Sequence, residues 1–181
     1  MLFKKNTSCR THPTGNKHQE QLKRYTLYII VLLMAIVTLT GCNNGRAYDR
    51  YRALDIEGWD RSDTVDFNVS RLTPGTYDMY VGFRATSSYP FRDLGININW
   101  TVYPSGKSFH KTVKCNVFDS NGHMSGRGGI SSDDFLYHTG QITVAKGDSV
   151  VFTVSHAMNM DQIPGLTTIG LQLTPSDGTA H

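Results

Sequence analysis

The sequence predicts an all-β domain, an antiparallel β-sandwich of jelly-roll type, preceded by a lipoprotein signal peptide. Three observations point to it. Beyond residue 60 the apolar residues alternate with polar ones instead of recurring every three or four. Turn residues break the alternation roughly every 10 positions. No stretch of a dozen residues beyond that point keeps a helical face.

The first element is an address. The chain has 181 residues; six of its 18 Lys and Arg lie in residues 1–41 (Lys4, Lys5, Arg10, Lys17, Lys23, Arg24), with the single acid Glu20, leaving 12 basic and 14 acidic residues beyond. That remainder holds no basic block, so a nucleic-acid-binding surface has no support in the sequence. Tyr25 to Leu39 is largely apolar and directly follows Lys23-Arg24, an h-region behind a positive n-region. As a helix it would span about 22 Å, short of a hydrocarbon core of roughly 30 Å, so it reads as a signal peptide. Leu39-Thr40-Gly41-Cys42 then has the form of a bacterial lipobox. Only Cys supplies the nucleophile for a thioether, Gly41 leaves room for the peptidase, and Leu39 fills an apolar subsite. Cys42 is the expected lipidation site, carrying a diacylglyceryl group and an N-acyl chain, which together anchor stably at about 0.8 kcal/mol per buried methylene. The expected organisation is a signal peptide over 1–41, a lipidated tether over 42–50, the β-sandwich domain over 51–175 and a tail over 176–181.

The strands follow in order. Val65, Phe67 and Val69 alternate with Asp66 and Asn68, and Leu72-Thr73-Pro74-Gly75-Thr76 supplies a turn. Tyr77, Met79, Val81 and Phe83 form the apolar side of a second strand; Leu94, Ile96, Ile98, Trp100 and Val102 form that of a third. Pro104-Ser105-Gly106-Lys107 is a hairpin signal, after which Phe109, Lys111, Val113, Cys115 and Val117 alternate with polar neighbours. Gly122 to Gly129 holds four glycines and reads as loop until Phe135-Leu136-Tyr137. Further strands are expected around Gln141 to Ala145, Ser149 to Ser155 and Thr168 to Thr174, with Lys146-Gly147-Asp148 dividing the first two. Seven or eight short strands in this rhythm make a sandwich or jelly roll.

The side chains that might carry chemistry do not assemble into a catalytic motif. Gly106-Lys107-Ser108 ends like a phosphate loop, but Thr101 stands where that motif needs Gly, and a hairpin follows instead of a helix. His110, His123, His138 and His156 lack paired metal spacing and read as surface or loop residues; no metal is expected. Asp133-Asp134 reads as a solvated turn. Cys9, Cys42 and Cys115 match neither a disulfide framework nor a zinc site, and Cys115 reads as a small buried apolar residue. Tyr80, Tyr103 and Phe118 fall opposite the apolar sets, where they could make a stacking platform for sugars.

In their order and punctuation these segments resemble the GldH family of gliding-motility lipoproteins over about residues 48 to 174. The resemblance rests on Tyr48 and Tyr51, Gly58-Trp59, Asp63, the strand through Phe67, Tyr80 to Arg84, and Tyr89-Pro90-Phe91-Arg92-Asp93-Leu94. It continues through Asn121-Gly122, Gly126 to Gly129, His156-Ala157-Met158, Ile163-Pro164-Gly165-Leu166 and Ile169-Gly170-Leu171. His123-Met124 and Asn159 depart from the family pattern, so a contact mediated there would differ in this chain. The resemblance implies a non-enzymatic outer-membrane lipoprotein serving a gliding or type IX secretion apparatus. Its partners would be the bilayer, through Cys42, and other envelope proteins, with no nucleic acid or nucleotide. The surface expected to bind them comprises Tyr89, Pro90, Phe91, Arg92, Asp93, Leu94, the Gly122 to Gly129 loop and the segment from Met158 to Gly165. No acidic residue follows Cys42 before Asp49, which points the domain toward the periplasm. Asp63-Thr64-Val65 and Asp148-Ser149-Val150 fit an O-glycosylation pattern of such bacteria, with Thr64 and Ser149 as acceptors. The alternative function is a glycan-binding accessory lipoprotein of a polysaccharide-handling system, using Tyr80, Tyr103 or Phe118.

Overall fold

The computed structural model describes residues 23–31, 45–129 and 131–176. Residues 23–31 are helical, and no helix among the described residues is long and apolar enough to cross a membrane. Cys42, residues 32–39 of the apolar segment and residues 177–181 of the expected tail lie outside the described residues.

From Tyr48 onward the chain is built from strands. They are β1 (Tyr48–Ala53), β2 (Trp59–Asp60), β3 (Val65–Val69), β4 (Gly75–Thr86), β5 (Asp93–Tyr103), β6 (Lys107–Asn116), β7 (Arg127–Gly128), β8 (Ser132–Val144), β9 (Ser149–His156), β10 (Gln162–Ile163) and β11 (Leu166–Pro175). One antiparallel sheet has the order β1-β11-β4-β8-β7, the other β3-β9-β5-β6, and β10 pairs with β2 in a short ribbon. Setting aside the two-residue strands, the first pairs with the last (β1 with β11), the second with the next to last (β3 with β9), then β4 with β8 and β5 with β6. That nested pairing is one long antiparallel ribbon rolled on itself, the jelly roll.

Period-two alternation puts one set of side chains between the sheets. Tyr77, Met79, Val81, Phe83 and Ala85 of β4 are buried, as are Leu94, Ile96 and Ile98 of β5 and Val150, Phe152 and Val154 of β9. With Phe67, Ile169, Leu171 and Leu173 they form one core. Each large apolar side chain so buried contributes about 1.5–3 kcal/mol. Cys115 is part of it, and burial pushes its thiol up to about 12.

The structure departs from the sequence reading at several elements. A strand begins at Tyr48, so the last three residues of the expected tether belong to the sheet; β1 is an edge strand with a weak burial pattern, and its periodicity is faint. The segments around Phe135 and Gln141 are one strand, β8. A bulge opposite Met79 and Tyr80 absorbs Thr139-Gly140, with Thr139 buried and its hydroxyl donating to the Met79 carbonyl at 3.1 Å. The glycine-rich loop contains β7, and Asp133-Asp134 lie in β8 rather than in a turn; Asp134 makes a bidentate pair with Arg84 at 2.7 and 3.1 Å. His156 is buried against the edge of Trp59, with ring centroids 5.6 Å apart. It alternates inward at the end of β9, next to Val154.

Candidate functional site

The rolled ribbon decides where the loops go. Chain segments joining β1 to β3, β4 to β5, β6 to β8 and β9 to β11 all emerge at one end of the sandwich; the turns after β3, β5 and β8 emerge at the other. The three segments expected to bind a partner therefore converge. Thr86 donates its amide to the Gly165 carbonyl at 2.8 Å, and the Tyr89 amide donates to the Thr86 carbonyl at 3.0 Å. Gly165 takes φ +81°, and a Cβ there would lie 2.6 Å from the Tyr89 Cα, so backbone touches backbone. On its other side the 89–94 segment offers the Arg92 carbonyl to the amides of Val117 and Phe118, at 2.8 and 3.1 Å. Met158 closes the group, its sulfur accepting from the Gly95 amide at 3.2 Å.

Burial separates scaffold from surface. Tyr89 and Leu94 are buried, which corrects their expected place on the binding surface. The Tyr89 hydroxyl donates to the Asp93 carbonyl at 2.8 Å, its ring meets Phe91 edge-on at 5.6 Å, and burial raises its pKa. The two residues hold the loop in shape, because a Tyr-Pro corner with its ring in the core leaves only the corner outside. Pro90 and Arg92 are exposed, Phe91, Met158 and Gly165 are half-buried, and Asp93 pairs with Lys114 at 2.8 Å. The glycine-rich segment folds over β8. Asp119 caps its turn, accepting from the amides of Asn121 and His123 at 2.8 and 2.9 Å, and these bonds lower its pKa. Phe118 bridges to Met124 and packs on the core. On either side of it lie hollows of about 380 and 590 Å³, one under His123 and Met124, the other between Arg92 and Ser120.

One component of this end was not anticipated as such. The β1–β3 connection brings Arg61 under the 158–161 segment, its guanidinium donating to the carbonyls of Met158 (3.0 Å) and Met160 (3.2 Å). Trp59 anchors that connection through its indole N–H to the Asp63 carbonyl at 3.0 Å. The Gly58-Trp59 pair was the available signal.

The three aromatics of the supposed sugar platform are not brought together. Tyr80 is on β4 in the five-stranded sheet, Tyr103 ends β5 in the other sheet, and Phe118 lies in the loop end. The outer face of the four-stranded sheet is instead a ladder of satisfied polar pairs, Thr112 with Asn97 and His110 with Asn99, both at 2.7 Å. Thr64 is exposed; Ser149 is half-buried and paired with Tyr103 in the ladder. Among the described residues no group of His, Cys, Asp and Glu is arranged to hold a metal ion.

A family model described as GldH lipoprotein matches residues 46–173, more than half of the chain. A relative from Flavobacterium johnsoniae, "Gliding motility lipoprotein GldH", is 23% identical over 154 residues, covering 81% of this chain and 96% of the relative. Among solved structures, a chain of the infectious bursal disease virus Gx strain aligns with 73% of this chain at 11% identity and a TM-score of 0.22. This chain spans 31% of that viral chain's length, and a likeness so slight carries no argument.

Proposed function

The chain belongs to the GldH lipoprotein family, and from that premise we propose that it is a non-enzymatic outer-membrane lipoprotein of a gliding-motility or type IX secretion apparatus, facing the periplasm and binding other envelope proteins. The observation that carries this reading is the convergence of the 89–94, 122–129 and 158–165 segments at one end of the sandwich, with Pro90, Arg92 and Met160 on its surface.

The place where the chain enters the sheet supports it. β1 runs from the Leu173 end of β11 to the Thr168 end, so the chain enters the domain at the end opposite the loops. The 12 residues of β4 span about 40 Å at about 3.3 Å each. A lipid on Cys42 would hold the loop end that far from its own attachment point while confining the domain to a plane. Confinement raises the effective concentration of the loops for a membrane-bound partner without adding a contact.

The test is a pull-down of the C-terminally tagged lipoprotein from detergent-solubilised outer membrane, with Cys42→Ala and a doubly charged-over variant, Arg92→Glu with Met160→Glu, beside it. Motility or secretion proteins recovered with the native chain and lost with both variants support the reading. The same proteins recovered with the loop variant would move the interface elsewhere. Polysaccharide-uptake components in their place would replace the reading.

A further inference from the structure

Away from the loops, the outer face of the five-stranded sheet carries a groove of about 670 Å³ that nothing above uses. Its floor is unusual. Gly170 of β11 and Gly82 of β4 stand in register with Tyr51 of β1, and the Tyr51 ring lies across both, its Cγ end over Gly170 and its hydroxyl end over Gly82. A Cβ at Gly82 would lie 2.3 Å from the Tyr51 hydroxyl oxygen and one at Gly170 2.4 Å from a ring carbon, so the two glycines let the ring lie low on the sheet. The ring's other side remains open, Tyr51 being 47% exposed, and Leu136 continues the same row on β8.

Beside the ring are hydrogen-bonding groups without partners. Gln172, one row along on β11, is only 7% exposed, lines the groove and makes no side-chain hydrogen bond among the described residues. Opposite it in the ladder, Asp49 holds Arg46 at 2.5 Å through one carboxylate oxygen, while its other, Oδ1, is buried and unpaired. Polar groups at a sheet surface ordinarily find partners, so an amide left free in the groove wall marks a place for a polar ligand. Charge narrows its chemistry. Arg46, Arg84 and Arg127 line the groove; Asp49 holds Arg46 and Asp134 holds Arg84, which leaves Arg127 without a carboxylate partner among the described residues.

We propose that this face binds an acidic saccharide. The C–H side of a pyranose ring stacks on Tyr51, its hydroxyls meet Gln172, and its carboxylate meets the arginines. This goes beyond the protein-binding role proposed for the loops and stands or falls apart from it. Of the aromatics expected to make a sugar platform it uses none: Tyr80 pairs with Gln172 in the ladder but its ring lies against His138.

The test is calorimetric titration of the full-length lipoprotein in detergent with oligogalacturonate, oligomannuronate and a glucuronate-bearing xylan oligomer, against maltooligosaccharide and polyglutamate. Saturable binding of at least one uronate oligomer is expected, weakened about tenfold or more in Gln172→Leu and in Arg84→Gln, and unchanged in Tyr103→Ala on the other sheet. Tyr51→Phe should retain binding and Tyr51→Ala lose it, with thermal melts showing whether each variant keeps its fold. Three results would each overturn the proposal: no binding of any uronate, equal binding of polyglutamate or the neutral glucan, or affinity indifferent to Gln172→Leu and Arg84→Gln.

Discussion

Replacing Gly165 with Ala should be far more costly than the same change at Gly106, although both glycines take a left-handed conformation, φ +81° and φ +70°. The conformation alone costs a residue with a Cβ about 1–2 kcal/mol, and that is the whole cost at Gly106, where a Cβ meets nothing within 4 Å. At Gly165 the new carbon lies 2.6 Å from the Tyr89 Cα and 2.9 Å from the Ser88 carbonyl carbon, backbone atoms that cannot rotate aside. The loops must separate, which weakens the Thr86 to Gly165 and Tyr89 to Thr86 hydrogen bonds, each worth about 1 kcal/mol. The total is about 3–4 kcal/mol. For a domain of this size about 1 kcal/mol moves Tm by about 4 °C, so Gly165→Ala should lower it by about 12–16 °C and Gly106→Ala by about 4–8 °C. Thermal unfolding followed by far-ultraviolet circular dichroism reads both. Equal shifts in the two variants would refute the claim that the 158–165 and 86–89 segments are locked together.

Other expectations follow from burial. Cys115, buried with its thiol pushed up to about 12, should resist an aromatic disulfide reagent in the native protein and react at once when unfolded. The same shift means that, above the ordinary thiol value of 9.0, the unfolded chain loses a proton that the folded chain keeps. Stability should therefore fall as pH rises beyond it, and Cys115→Ala should flatten that slope in an alkaline denaturation series. Burial lowers the pKa of His156 below 6.5, so on acidification the unfolded chain gains a proton first and stability falls as pH drops through that value. His156→Phe should remove this component. Phe152→Ala, at the centre of the core, should cost about 3–5 kcal/mol in urea denaturation. For O-glycosylation, the intact mass of the protein from its own host should lose a glycan's mass in Thr64→Ala, the exposed candidate, and only the substitution's own small difference in Ser149→Ala, which the ladder holds.

Local periodicity is written in sequence, and that is why so many elements were legible. The alternation of Val65 to Val69, Tyr77 to Phe83 and Leu94 to Val102 corresponds to β3, β4 and β5, and Pro104 to Lys107 to the hairpin between β5 and β6. The GldH resemblance rests on the same kind of local, ordered signal. β1 was missed because an edge strand buries little and shows little pattern. The bulge at Thr139-Gly140 broke one strand into two, since an extra residue shifts the phase on which a periodic reading depends. What only the tertiary structure decided are the relations between residues far apart in the chain. Whether Tyr89 faces a partner or the core, whether His156 is solvated, and whether Tyr80, Tyr103 and Phe118 share a face all depend on which sheet each strand joins. The pairing of first strand with last gathers four loops at one end and puts the start of β1 at the other. It also lays Tyr51 over Gly170 and Gly82, residues 119 and 31 positions away in the chain, through the β1-β11-β4 register. No window of sequence contains that juxtaposition, because hydrogen-bonded register is a property of the closed sheet and not of any strand within it.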